Sequence, residues 1–281
     1  MNKSRLKRPV LLIKTGATIP ETREEFGDFE EWFARGLGVQ GVAQIDVFAG
    51  ELPPDPAGFS GVIVTGSASM VSHQHDWSER TADWLHDAVH LGMPVLGVCF
   101  GHQLLAYALG GAVGPNPRGR QIGTQQINTL PSAASDPLMC ELPSSFHAQT
   151  THVESVHELP PGAVRLASSP RDENHAFRYG ERAWGVQFHP EFGADIMSGY
   201  IRARSHVIQA EGLDPEHLAS RVSETPVAQG LLARFTTFVA GLPGNSDDLE
   251  QRSAFEDARL AANGPAGIIT RSPLVHGART T

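Results

Sequence analysis

The chain has 281 residues, 40% of them apolar, with a formal net charge of −9; it can bury one full core and leave an appendage. The acidic balance excludes a basic nucleic-acid surface, no apolar run approaches the ~18 residues of a membrane span, and residues 10–13 are too few for a signal-peptide core, so no nucleic-acid or membrane partner and a cytoplasmic location are expected. The only lysines are Lys3, Lys7 and Lys14, which rules out a phosphate loop ending in Gly-Lys-Ser/Thr, and no Gly-x-Gly-x-x-Gly joins a strand to a helix, so no cofactor is expected.

In chain order, residues 10–14 read as a buried strand and 29–37 as a short helix closed by glycines. Residues 42–48 alternate like a strand, and 61–65 form another buried one. Ser78 is expected to cap a helix running to about residue 91, with Glu79 in its first turn. Residues 94–98 are the next strand, and 100–109 the next helix, stopped by Gly110-Gly111. This alternation predicts an α/β fold, a mostly parallel central sheet with helices on both faces, whose active edge is the carboxyl ends of its strands. From 120 to 188 the pattern changes to short extended pieces at 122–130, 164–167, 176–179 and 183–188. Helical periodicity returns at 196–209, 215–222 and 227–240, and again weakly at 252–262 within a tail of little periodicity.

The turn after residue 98 carries the most chemistry. Cys99 lies in Gly97-Val98-Cys99-Phe100-Gly101-His102-Gln103, where an apolar strand meets a helix and glycines flank the cysteine at two-residue spacing. Such an elbow projects the sulfur off the sheet edge, and the helix N-terminus favours thiolate over thiol. A lone cysteine is usually a small buried hydrophobe. Here a second segment, Val186-Gln187-Phe188-His189-Pro190-Glu191, supplies a base and an orienting carboxylate. Cys140 has no such setting and reads as buried filler, both cysteines staying free. His86 and His90 lie one helical turn apart with His73 and His75 nearby, but no third ligand is placed and no metal site is expected. Arg118 and Arg120 read as solvated loop arginines, the alternative being contact with an anionic acceptor or a partner chain.

Together these segments resemble the class I glutamine amidotransferases of the Cys-His-Glu type. Val64-Thr65-Gly66-Ser67-Ala68-Ser69 stands where the family has a glycine-rich loop, with Ser67 replacing the second glycine of Gly-Gly-Pro. Thr151-His152-Val153-Glu154-Ser155-Val156 is similar to the family's Ser-His-x-Asp-x-Val segment, with Thr151 and Glu154 as the departures. The resemblance covers about residues 9–200 and implies a helical extension at 201–241; the Gly, Pro, Ser and charge of 242–281 instead point to a tail that is mobile or serves packing. Within the family the chain is most similar to stand-alone bacterial proteins resembling the GMP synthase glutaminase domain, and the run Ala210 to Pro215 fits that group.

The resemblance implies Cys99, His189 and Glu191 as catalytic residues. It implies an oxyanion hole from the backbone N–H groups of Ser67 and Phe100, with Gly66 allowing the close approach. Gln103 and the backbone around Thr151 and His152 are implied to hold the substrate's amino-acid end. The implied reaction is hydrolysis of L-glutamine through a γ-glutamyl thioester, the ammonia passing to an acceptor or a separate synthetase subunit. The roughly eighty residues after Tyr200 are too few for an ATP-dependent ligase, so the chain is expected to be free-standing. Two other readings stay open: a γ-glutamyl peptidase acting on larger γ-glutamyl amides, and a weakly active regulatory binding protein.

Overall fold

The structure, a computed structural model, describes residues 6–38 and 41–242; the segment at 252–262 and the rest of the tail from 243 lie outside them. The elements run β1 (Val10–Lys14), α1 (Pro20–Phe26), α2 (Phe29–Leu37), β2 (Val42–Asp46), β3 (Gly61–Val64), α3 (Asp76–His90), β4 (Val95–Val98), α4 (Phe100–Ala108) and β5 (Ala112–Pro115). Then come β6 (Gln121–Thr129), β7 (Ser145–His152), β8 (Glu154–Glu158), β9 (Val164–Ser169), β10 (Asp172–Tyr179) and β11 (Ala183–Val186). Four helices follow, α5 (Ala194–Ala203), α6 (Ser205–Ala210), α7 (Pro215–Ser220) and α8 (Pro226–Gly241).

Nine strands form one sheet in the order β2-β1-β3-β4-β11-β10-β9-β6-β7. The pairings from β2 through β11 are parallel, and those from β11 through β7 antiparallel. Every residue of β1, β3 and β4 is buried, because helices cover both faces of the parallel half. Successive side chains in a strand point to opposite faces. Val10 and Leu12 accordingly join the core under α2, α5 and α8, whereas Leu11 and Ile13 join the core under α3 and α4.

Helix α8 belongs to the first of these cores. Leu231, Leu232, Phe235 and Val239 face inward, Phe235 meets Trp184 edge-on at 6.4 Å, and the Thr236 hydroxyl donates to the Leu37 carbonyl at 3.1 Å. Phe235→Ala is therefore expected to lower stability by about 3–5 kcal/mol, read as a shift in urea midpoint at constant slope. A loss below about 1 kcal/mol would show that α8 is not part of the cooperative core.

Several expected boundaries move. Ser78 is not a cap: α3 starts at Asp76 behind His75, and Ser78 is buried inside its first turn. Asp76 and Glu79 already place negative charge at that N-terminus. The segment expected as one helix at 196–209 breaks at Arg204 into α5 and α6. Cys140 is exposed, not buried filler; Leu138 and Met139 beside it take the buried positions in that turn. Among the described residues no helix is long and apolar enough to cross a membrane.

Candidate active site

Three adjacent parallel strands deliver the expected residues to one edge. Strand β3 leads into Thr65-Gly66-Ser67, β4 into Cys99, and β11 into His189 and Glu191. β4 lies between the other two, and the Cys99 N–H donates to the Val186 carbonyl at 2.9 Å. Parallel pairing puts all three carboxyl ends together, where βαβ sheets bind ligands.

The turn at Cys99 is tight enough to be strained. Cys99 has φ 52° and ψ −105°, a left-handed region that non-glycine residues rarely occupy. The glycines around it make the turn possible. A Cβ on Gly97 would stand 2.4 Å from the Gly101 carbonyl oxygen, and one on Gly101 would stand 2.3 Å from that of Val64. The strand, the elbow and the first turn of α4 are thereby in backbone contact.

The imidazole of His189 is fixed from three directions. Its Nδ1 lies 2.7 Å from Glu191 Oε1 in a pair almost sealed from solvent. Its ring stacks on Phe192 at 4.2 Å, and its backbone N–H donates to the Gln149 carbonyl at 2.8 Å. With Nδ1 committed, Nε2 is left to Cys99. Burial lowers the His189 pKa, but Glu191 and Cys99 outweigh burial and raise it to about 10. Such a site holds imidazolium beside sulfur at neutral pH.

Gly66 closes the other side. A Cβ there would stand 3.0 Å from His189 Cε1 and 3.6 Å from Cys99 Cβ, so any side chain would press on the pair. The Ser67 hydroxyl donates to the Thr15 carbonyl at 2.7 Å and accepts from the Ser69 N–H at 3.1 Å, bracing the loop. Phe100 is the first residue of α4, where backbone N–H groups lack intrahelical acceptors and can meet developing negative charge.

The remaining expected residues line the same cleft. Gln103 spends its amide N–H groups on the Glu154 carbonyl at 2.7 Å and on Gln187 Oε1 at 2.9 Å. Only its Oε1 is then offered to a ligand, an acceptor suited to an ammonium. The Thr151 carbonyl lies 3.7 Å from Cys99 Sγ. The His152 ring is buried between His175 and Asp172, its Nε2 lying 3.6 Å from Asp172 Oδ2, so this segment offers the cleft its backbone rather than its imidazole. Burial pushes His102 and His175 down to about 3, leaving both neutral. Away from the cleft, the His86 and His90 rings lie tilted to each other with centroids 4.2 Å apart, and no three metal-ligating side chains converge among the described residues.

A family model for glutamine amidotransferase class-I matches residues 28–203. The chain belongs to the class-I glutamine amidotransferase family. It is 29% identical over 182 residues to gamma-glutamyl peptidase 5 of Arabidopsis thaliana, covering 62% of this chain and 72% of that protein. It is 36% identical over 149 residues to the glutamine-hydrolysing GMP synthase of Caldicellulosiruptor saccharolyticus, covering 50% of this chain but 27% of that synthase. Among solved structures, a glutamine amidotransferase from Thermotoga maritima superposes with a TM-score of 0.69 at 23% identity, over 84% of this chain and all of that one. These similarities establish a family of amide-hydrolysing enzymes and its fold.

Other residues of this amidotransferase cleft escaped the motif reading. Phe29 stacks on Phe192 at 6.4 Å, and Tyr200 packs on Phe192 at 5.0 Å while its hydroxyl meets that of Thr18 at 2.5 Å. The usable signal was helical spacing. Tyr200 and Arg204 are four residues apart and share a face, and both line the cleft. Arg120 lines it too, so it is not the solvated loop arginine expected; Arg118 instead turns to the Pro170 carbonyl.

Proposed function

We propose that the protein hydrolyses the γ-amide of L-glutamine through a γ-glutamyl thioester on Cys99. The observation that carries this reading is Cys99 at left-handed φ beside a buried His189–Glu191 pair. Cys99 thiolate attacks the γ-carbonyl carbon, and the oxygen takes up negative charge facing the N–H groups of Ser67 and Phe100. Collapse of the tetrahedral species breaks the C–N bond, and His189 gives its proton to the departing ammonia. A water molecule, deprotonated by His189, then attacks the thioester, releasing glutamate and returning the thiolate. Glu191 holds the imidazole and stabilises its charged form. Gln103 and the backbone around Thr151 and His152 hold the substrate's amino-acid end. The ammonia passes to an acceptor or a separate synthetase subunit.

A second reading, cleavage of larger γ-glutamyl amides or peptides by the same residues, is favoured by two observations. The match covers most of a protein named as a gamma-glutamyl peptidase but only 27% of a GMP synthase, and cationic side chains line the cleft beyond the triad. Purified protein given glutamine and a set of γ-glutamyl dipeptides decides between them. Ammonia release from glutamine at the higher kcat/KM supports the first, faster amine release from dipeptides supports the second, and turnover of neither contradicts both.

A further inference from the structure

The cleft that holds Cys99 is also lined by Arg120 and Arg204, which the mechanism leaves unused. The Arg120 side chain is 10% exposed. Its Nε and Nη2 donate to the two carboxylate oxygens of Glu211 at 2.6 and 2.8 Å. That fork occupies both oxygens of Glu211, so the carboxylate is matched to Arg120.

Arg204 has no such match. It stands at the break between α5 and α6, one helical turn beyond Tyr200, and its Nε–H is shielded from solvent with no acceptor. A buried donor without a partner costs free energy, more so on a charged group. Burial and the neighbouring Arg120 both lower the Arg204 pKa, with Tyr200 and Glu211 offsetting them only in part. Arg120 and Arg204 put two guanidinium groups on the cleft, which the Glu154 carboxylate also lines, and Glu211 is matched to Arg120. Glu211 comes from the end of α6, so the helices after the triad shape this end of the cleft.

We infer that Arg204, backed by Arg120, is an anion subsite that binds a carboxylate of the γ-glutamyl substrate. The inference rests on the γ-glutamyl hydrolase reading above. A planar guanidinium presents two parallel N–H groups that match a carboxylate. That carboxylate has two sources: the α-carboxylate of the glutamyl group, or the carboxylate of an amino acid joined through the γ-amide. Glutamine and γ-glutamylethylamide carry only the first, whereas γ-glutamylglycine carries both.

Steady-state kinetics of wild type, Arg204→Gln and Arg204→Lys on these three compounds test the assignment. Arg204→Gln is expected to raise KM roughly 10- to 100-fold for the compound or compounds bound through Arg204, with kcat held within about threefold. Arg204→Lys, which keeps the charge, is expected to recover part of the loss. A KM effect confined to γ-glutamylglycine assigns the amine's carboxylate, and an equal effect on all three assigns the α-carboxylate. Unchanged KM throughout, or a fall in kcat that Arg204→Lys does not recover, overturns the subsite. If wild type turns over none of the three, the hydrolase reading fails and the inference with it; turnover by wild type with an indifferent Arg204→Gln overturns the inference alone.

Discussion

Cys99→Ala is expected to lower kcat/KM for glutamine and γ-glutamyl amides by at least about 10⁴-fold, measured as ammonia or amine release. No other thiol can substitute, because Cys140 is exposed on a turn outside the cleft. The proposed route passes through a covalent bond to sulfur, so alanine removes the route rather than weakening it. The fold should tolerate the change. Alanine meets the same left-handed strain at φ 52° as cysteine does, and the elbow is held by backbone contacts through Gly97 and Gly101. Unchanged circular dichroism with lost turnover is the expected result. Substantial residual turnover would place the chemistry elsewhere.

Glu191→Gln is expected to lower kcat by about 10³-fold and to move the alkaline limb of the pH profile downward. In the native site burial pulls the His189 pKa down, while Glu191 and Cys99 together carry it up to about 10. The imidazolium that protonates the leaving amine therefore persists until the pH rises through about 10, where wild-type kcat/KM should fall. Without the Glu191 charge, burial gains weight and that fall moves to lower pH. The stability effect has a definite sign. A folded-state histidine pKa raised above its unfolded value gives stabilisation that is fully present below about 6.5 and is lost as pH rises through about 10. The stability gap between wild type and Glu191→Gln is thus widest in acid and narrows toward pH 10. A gap that widened with pH would contradict the charged-pair description of His189 and Glu191.

Most of the candidate site was legible because its residues are grouped locally in sequence. The elbow needs apolar strand residues, two close-spaced glycines and a helix in one run, and Val95 to Gln103 contains all of them. His189 and Glu191 are two residues apart after a buried strand, so their pairing follows from one short segment. The parallel strands were legible for a similar reason: burial on both faces leaves continuous apolar runs such as those of β1 and β3.

What the sequence hid depends on tertiary contacts. β7 pairs with β6 and reaches His189 through Gln149, yet most of its residues Ser145–His152 are polar even where buried, leaving few apolar side chains to mark it. The break at Arg204 has no proline or glycine to announce it, and Arg120 meets Glu211 across 91 positions of sequence. No local pattern reports such a pair. Cys140 misled because a neutral sulfur beside Leu138 and Met139 has the composition of a core, whereas the turn buries those two and leaves the cysteine outside.

The central claim is a covalent γ-glutamyl intermediate on Cys99, and acid-quenched peptide mass spectrometry tests it most directly. Protein mixed with glutamine or a γ-glutamyl dipeptide, quenched within a turnover and digested, is expected to carry a γ-glutamyl adduct on the peptide containing Cys99. The peptide containing Cys140 should carry none. Continued turnover without an adduct at Cys99, or an adduct on another residue, would contradict the account.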